Sequence, residues 1–75
     1  MTLIERVNKE LSNYELEFKI KKEYNDKFKG VLIEKQTGLE IPFEVSKQLQ
    51  VNMIKQHCKW INDYANLYIK LKQNG

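Results

Sequence analysis

From Ser46 to Lys72 the chain carries one helical pattern, and no other segment constrains the fold as strongly. These 27 residues, at about 1.5 Å of rise each, make a rod of roughly 40 Å. A compact domain of 75 residues has a radius of gyration near 11 Å, hence a diameter of about 30 Å. A rod longer than its own body is expected to overhang it and to need a further partner.

Residues placed at about 100° intervals sort this helix into two arcs. Leu49, Met53, Ile54, His57, Cys58, Trp60, Ile61, Tyr64, Ala65, Leu67, Tyr68 and Leu71 share one side, flanked by Val51 and Ile69. That arc spans about 200°, whereas a helix resting on one core needs a stripe only a little over 100° wide. Either the helix lies in a groove of its own chain, or part of the arc packs on a second molecule. The large, distal residues Trp60, Tyr64, Leu67, Tyr68 and Leu71 are the candidate protein interface. Asn62-Asp63 is the place where the helix is expected to break, if it breaks, because both are mediocre helix formers.

The rest of the chain supplies the body. Thr2-Leu3-Ile4-Glu5 fits a capping box, and Leu3, Ile4, Val7 and Leu11 form an apolar stripe that predicts a short helix ending near Ser12-Asn13. Tyr14 to Lys21 alternates apolar and charged residues with period two, the signature of a half-buried strand. A polar turn over Glu23–Lys27 leads to a second strand, Phe28–Lys35, centred on Val31-Leu32-Ile33. Two turns fit Lys35-Gln36-Thr37-Gly38. A two-residue Thr-Gly turn pairs Glu34 with Ile41, while a type I turn with a Gly38 bulge pairs Ile33 with Ile41 and Val31 with Phe43. The second matches apolar against apolar and is preferred. Leu39, Ile41, Phe43 and Val45 then form the inner face of a third strand, and Pro42, lacking an N–H, makes it an edge strand or turns that position away from the sheet. Ser46 is the expected N-cap of the long helix.

The fold class that follows is α+β, a two-layer αβββα domain over residues 1–75 with a three-stranded antiparallel meander packed by a short N-terminal and a long C-terminal helix. Its expected core is Leu3, Val7, Leu11, Leu16, Phe18, Ile20, Val31, Ile33, Ile41, Phe43, Val45, Met53, Ile54, Cys58 and Ile61. A chain this short buries little more than half of its unfolded surface, so oligomerisation is a common route to stability.

Charge is distributed unevenly. Residues 1–26 hold five basic and six acidic groups, and residues 27–45 hold three of each. From Ser46 onward five lysines face Asp63 alone, which accounts for the net charge of +3. Lys19, Lys21, Lys22, Lys27 and Lys29 crowd the first hairpin beside Tyr24 and Phe28, and Lys55, Lys59 and Lys70 line the polar side of the long helix. These are the candidate nucleic-acid contacts, with the aromatics as stacking groups. The element order is similar to that of double-stranded-RNA-binding domains. The similarity is in order alone: Lys47 stands by itself at the start of the last helix, and the only histidine is mid-helix.

Catalytic chemistry finds little footing. His57 and Cys58 are adjacent on a helix and so point about 100° apart, the wrong geometry for a nucleophile and its base. One histidine and one cysteine fall short of a zinc site. Glu15 with Glu17, and Glu40 with Glu44, read as solvent-facing charges of a half-buried sheet, and Gly30, Gly38 and Gly75 are too isolated for a phosphate loop. No catalytic, cofactor or metal residue is therefore assigned, and no small-molecule substrate is inferred. With one cysteine, no intrachain disulfide forms. The N-terminus lacks the pattern of a secretory signal, and no apolar run is long enough to span a membrane, so a cytoplasmic location is expected. The Lys-, Asn- and Ile-rich composition fits an AT-rich genome such as that of a low-GC bacterium or its phage. The expected function is a small non-enzymatic interaction module, a regulator, inhibitor or adaptor acting through its long helix, most simply as a homo-oligomer such as a homodimer. The alternative is nucleic-acid binding through the lysines named above.

Overall fold

A computed structural model describes residues 1–74. The elements follow the order α1 (Leu3–Leu11), β1 (Leu16–Glu23), β2 (Lys27–Glu34), β3 (Glu40–Ser46) and α2 (Ile54–Asn74), with 3-10 turns at Ser12–Tyr14 and Val51–Met53. The three strands form one antiparallel sheet in the order β1-β2-β3. Both helices pack on one face of it, which gives the expected α+β meander.

Local chemistry starts and stops the elements. The Thr2 hydroxyl accepts the Glu5 N–H at 3.2 Å while the Glu5 carboxylate accepts the Thr2 N–H at 3.0 Å. These bonds hold the Glu5 carboxyl below its ordinary range, the Thr2 backbone contributing first and its hydroxyl second. At the other end of α1 the Ser12 hydroxyl donates to the Lys9 carbonyl at 2.6 Å. Glu15 then takes a left-handed conformation, φ 57°, which turns the chain into β1.

The register between β2 and β3 corrects the preferred expectation by one residue. Leu32, not Ile33, faces Ile41, and Gly30, not Val31, faces Phe43. The cause is a longer turn. Glu34 and Leu39 bracket a four-residue loop closed by the Gly38 N–H on the Glu34 carbonyl at 2.7 Å, with Gly38 at φ 76°. The Glu34 carboxylate organises the loop, accepting the Gln36 and Thr37 N–H groups at 2.8 and 3.0 Å and the Thr37 hydroxyl at 2.6 Å. Because side chains alternate faces along a strand, Leu32 enters the core and Val31 and Ile33 move to the open face. There they sit half-buried between Lys19 and Pro42, and between Glu17 and Glu40.

The start of α2 is a second correction. Ser46 is still the last residue of β3, paired with Lys27, so it caps no helix. Its hydroxyl accepts the Gln48 N–H at 3.1 Å and its carbonyl the Leu49 N–H at 3.3 Å, which tightens a turn instead. The helix proper has 21 residues, about 31 Å at the standard rise, and it runs unbroken through Asn62-Asp63. It fits within the 36 Å long axis of the molecule. The β2–β3 turn reaches its last turns, where Thr37, Gly38 and Leu39 line a hollow with Ile69, Lys72 and Gln73. The expected overhang is absent.

The core lies between helices and sheet. Val7 and Leu11 of α1, Leu16 and Phe18 of β1, Leu32, Ile41 and Val45, and Ile54, Cys58, Ile61 and Ala65 of α2 are buried. Leu3 and Phe43 pack against this cluster half-buried, whereas Ile20 and Met53, also expected inside, are 40% and 44% exposed. A bulge between Ile20 and Lys22 displaces the end of β1 from the packed face.

Candidate interaction surface

One line of α2 is buried, with Tyr64, Tyr68 and Ile69 packed half-buried beside it. Ile54, Cys58, Ile61 and Ala65 follow one another at four-, three- and four-residue steps and occupy a single seam toward the sheet. About 100° round the helix runs a second seam at the same steps: Met53, His57, Trp60, Tyr64, Leu67 and Leu71. Alternating steps of three and four keep successive residues on one stripe for several turns. On this outer stripe Trp60 is 54% exposed, Leu67 56% and Leu71 64%.

The aromatics on the stripe are ordered by each other. His57 stacks on Trp60 with ring centroids 5.6 Å apart, and Trp60 stacks on Tyr64 at 5.9 Å. Phe43 of β3 supports both, at 6.0 Å from Trp60 and 5.5 Å from Tyr64, and Phe18 meets Phe43 edge-on at 6.3 Å. The Tyr64 hydroxyl donates to the Pro42 carbonyl at 3.3 Å. Beside this row lies an open groove of about 710 Å³ whose walls include Phe43, Leu49, His57, Trp60 and Tyr64. Of the five residues expected at the interface, Trp60, Leu67 and Leu71 are exposed, and Tyr64 is half-buried on the same stripe. Tyr68, also half-buried, leans toward the core. Met53 and His57 complete the stripe and were missed as interface residues, although the three–four spacing that joins them to Trp60 is present in the sequence.

Each edge of the sheet is blunted at one position. Along the β1 edge the Asn8 side chain bonds the Phe18 backbone at both its N–H and its carbonyl. On β3, Pro42 offers no N–H, and its carbonyl is the acceptor for Tyr64. Edge strands blunted in this way resist pairing with other chains. The outer seam of α2 is thus the large apolar feature left open.

The lysines divide between two surfaces. Lys19, Lys22 and Lys29 lie on the open face of the sheet, where Lys22 is the cross-strand neighbour of Lys29 and Lys29 that of Glu44. Lys21 sits at the bulge, and Lys27 pairs with Glu44 at 3.3 Å. Lys22 and Lys27 flank the Tyr24 ring at 5.1 and 5.5 Å from its centroid. Lys47 bonds Glu23 at 2.6 Å and covers Phe28. Lys55, Lys59 and Lys70 are exposed on α2, in the opposite layer.

Cys58 is fully buried with its thiol 3.7 Å from the Val7 carbonyl. Burial, with a smaller contribution from Glu10, pushes the thiol up to about 11. Burial also lowers the His57 pKa below its ordinary value, which leaves the ring neutral at pH 7. Glu15, expected on a strand face with Glu17, instead precedes the strand and accepts from the Gln36 side chain at 3.2 Å. Glu40 and Glu44 lie on the open face as solvated charges. Among the described residues no helix is long and apolar enough to cross a membrane. No family model matches this chain, and comparison with curated proteins and with solved structures finds no match.

Proposed function

We propose that this protein is a non-enzymatic interaction module whose working surface is the outer seam of α2, and that it acts as a small regulator, inhibitor or adaptor by holding another protein surface there. The observation that carries this reading is the exposure of Trp60, Leu67 and Leu71 in one row with Tyr64. A large aromatic held half in solvent by neighbouring rings is the kind of anchor that dominates protein interfaces. Scattered exposed apolar residues need no explanation, but a stripe maintained over about four helical turns is a patch.

Nucleic-acid binding is the second reading. Lys19, Lys22 and Lys29 share the open sheet face and favour it, while Glu17, Glu40 and Glu44 on the same face weaken the field that a phosphate backbone would meet. A photo-reactive residue at Leu67, compared with one at Lys19, separates the two in native cells. Protein adducts concentrated at position 67 support the interaction module. Nucleic-acid adducts at position 19, with none at 67, would replace it, and affinity should then fall steeply with salt.

A further inference from the structure

We infer that the occupant of the outer α2 seam is the same seam of a second copy, packed antiparallel about a two-fold axis midway between Tyr64 and Leu67. This rests on the interaction reading above and gives it a partner and a register.

The stripe is complementary to itself in one orientation. In an antiparallel helix pair each residue of one seam class faces a residue of the other class, and the layers run in opposite directions along the two helices. Tyr64 then faces Leu67 of the second copy, and Trp60 faces Leu71. Two-fold symmetry repeats both layers. Each layer places an aromatic ring against leucine, large against small, which fills space better than ring against ring.

Charge selects the same register. Asp63 is the only acid after Glu44, and Lys70 lies seven residues beyond it on the same rim of the stripe. Both are exposed, and neither has an ion-pair partner among the described residues. With Tyr64 opposite Leu67, the rim of one helix brings Asp63 alongside Lys70 of the second copy, and symmetry makes the contact twice. A parallel pairing does not do this, because it sets each rim residue against the side of the partner helix that carries Ile61 and Tyr68, which is already packed on its own core. The sheet edges are poorer routes to a dimer, since Asn8 and Pro42 each blunt one of them.

Four layers of side chains make an interface below the standard of about 800 Å² per partner, so the dimer belongs to the weak class. Its dissociation constant should lie in the range of about 10–100 μM. Charge reversal tests the register without touching the core. In sedimentation equilibrium, Asp63→Lys alone and Lys70→Asp alone should each weaken association on the order of tenfold, and the double variant should restore it. A protein carrying Asp63→Cys with Lys70→Cys should cross-link between chains on mild oxidation. The two cysteines are about 10 Å apart along one helix, too far to close within it. Circular dichroism of each variant confirms an unchanged fold.

A wild-type monomer at about 1 mM overturns the proposal, and so does a dimer whose affinity ignores both reversals. If the protein is monomeric yet the Leu67 photo-adducts are to another protein, the interaction module stands and only its partner changes. If both fail, the seam is not an interface.

Discussion

The Asn8 side chain bonds both backbone groups of Phe18, accepting its N–H at 2.7 Å and donating to its carbonyl at 3.1 Å. A helix residue thereby does what a fourth strand would do at the edge of β1, for one residue. The contact ties α1 to the sheet next to Phe18, whose ring lies at the centre of the core. Replacing Asn8 with Ala strands a part-buried donor and acceptor together, so a loss of about 1–3 kcal/mol is expected in urea denaturation. Asn8→Asp keeps the acceptor and loses the donor, and should fall between Ala and wild type. An Asn8→Ala midpoint unchanged from wild type would show that water replaces the amide without cost.

Gly30 marks the tightest point of the sheet. A Cβ added there would collide with the Lys19 carbonyl oxygen, with Ile20 Cα close behind at 3.1 Å. Both neighbours are backbone, held by pairing to β2, so they cannot swing aside. Gly30→Ala should destabilise by about 1–3 kcal/mol or more, as overpacked sites do, and should broaden amide resonances around the bulge. A stable, well-dispersed Gly30→Ala protein would refute that tightness.

These two residues show where the sequence is readable and where it is not. Element order, the capping box at Thr2, the inner row Ile41, Phe43 and Val45, and the edge character of β3 at Pro42 all follow from period and local chemistry. The face of β2 does not, because Val31-Leu32-Ile33 is apolar on both sides and only the turn decides which residue goes in. That turn is set by the Glu34 carboxylate reaching three groups two and three residues on, which a count of apolar pairs ignores. Asn8 was hidden for a similar reason: a polar residue beside an amphipathic stripe carries no mark of what it will meet across space. The interface candidates on α2 were legible as a wide arc. The helix is shorter than the pattern from Ser46 implies, because β3 takes Ser46 and a turn follows before α2 begins at Ile54.

Glu34 gives the turn an acid sensitivity. The Thr37 hydroxyl and then the Gln36 N–H hold its carboxyl below the ordinary range, so the stabilisation is present above about pH 4.5 and is lost as the pH falls through the lowered folded value. Protection factors at Gln36 and Thr37, taken relative to the intrinsic exchange rate at each pH, should fall on acidification through this range ahead of those at Leu32. Glu34→Gln should show fast exchange at those amides already at neutral pH, and equal protection in variant and wild type would refute the role.

Cys58 should be inert in the native protein. With its thiol at about 11 rather than 9, the thiolate fraction at pH 8 falls roughly a hundredfold, and the side chain has no exposed surface. An aromatic disulfide reagent should label it only at the rate of unfolding, with the full signal released at once in denaturant. Labelling in seconds under native conditions would place the thiol outside the core.

His57 and Trp60 form a built-in reporter, because the chain has one of each and their rings stack at 5.6 Å. A protonated imidazole in that position accepts electron density from the excited indole and quenches it. Burial favours the neutral ring, so the folded protein binds this proton less readily than the unfolded chain. The resulting stabilisation is present above about pH 6.5 and declines as the pH falls through the lower folded value. Trp60 emission should therefore drop on acidification with a midpoint below 6.5, and His57→Gln should abolish that step while leaving the Glu34 transition in place. A midpoint at or above 6.5 would mean that an anion or solvent, not the neighbouring rings, governs His57.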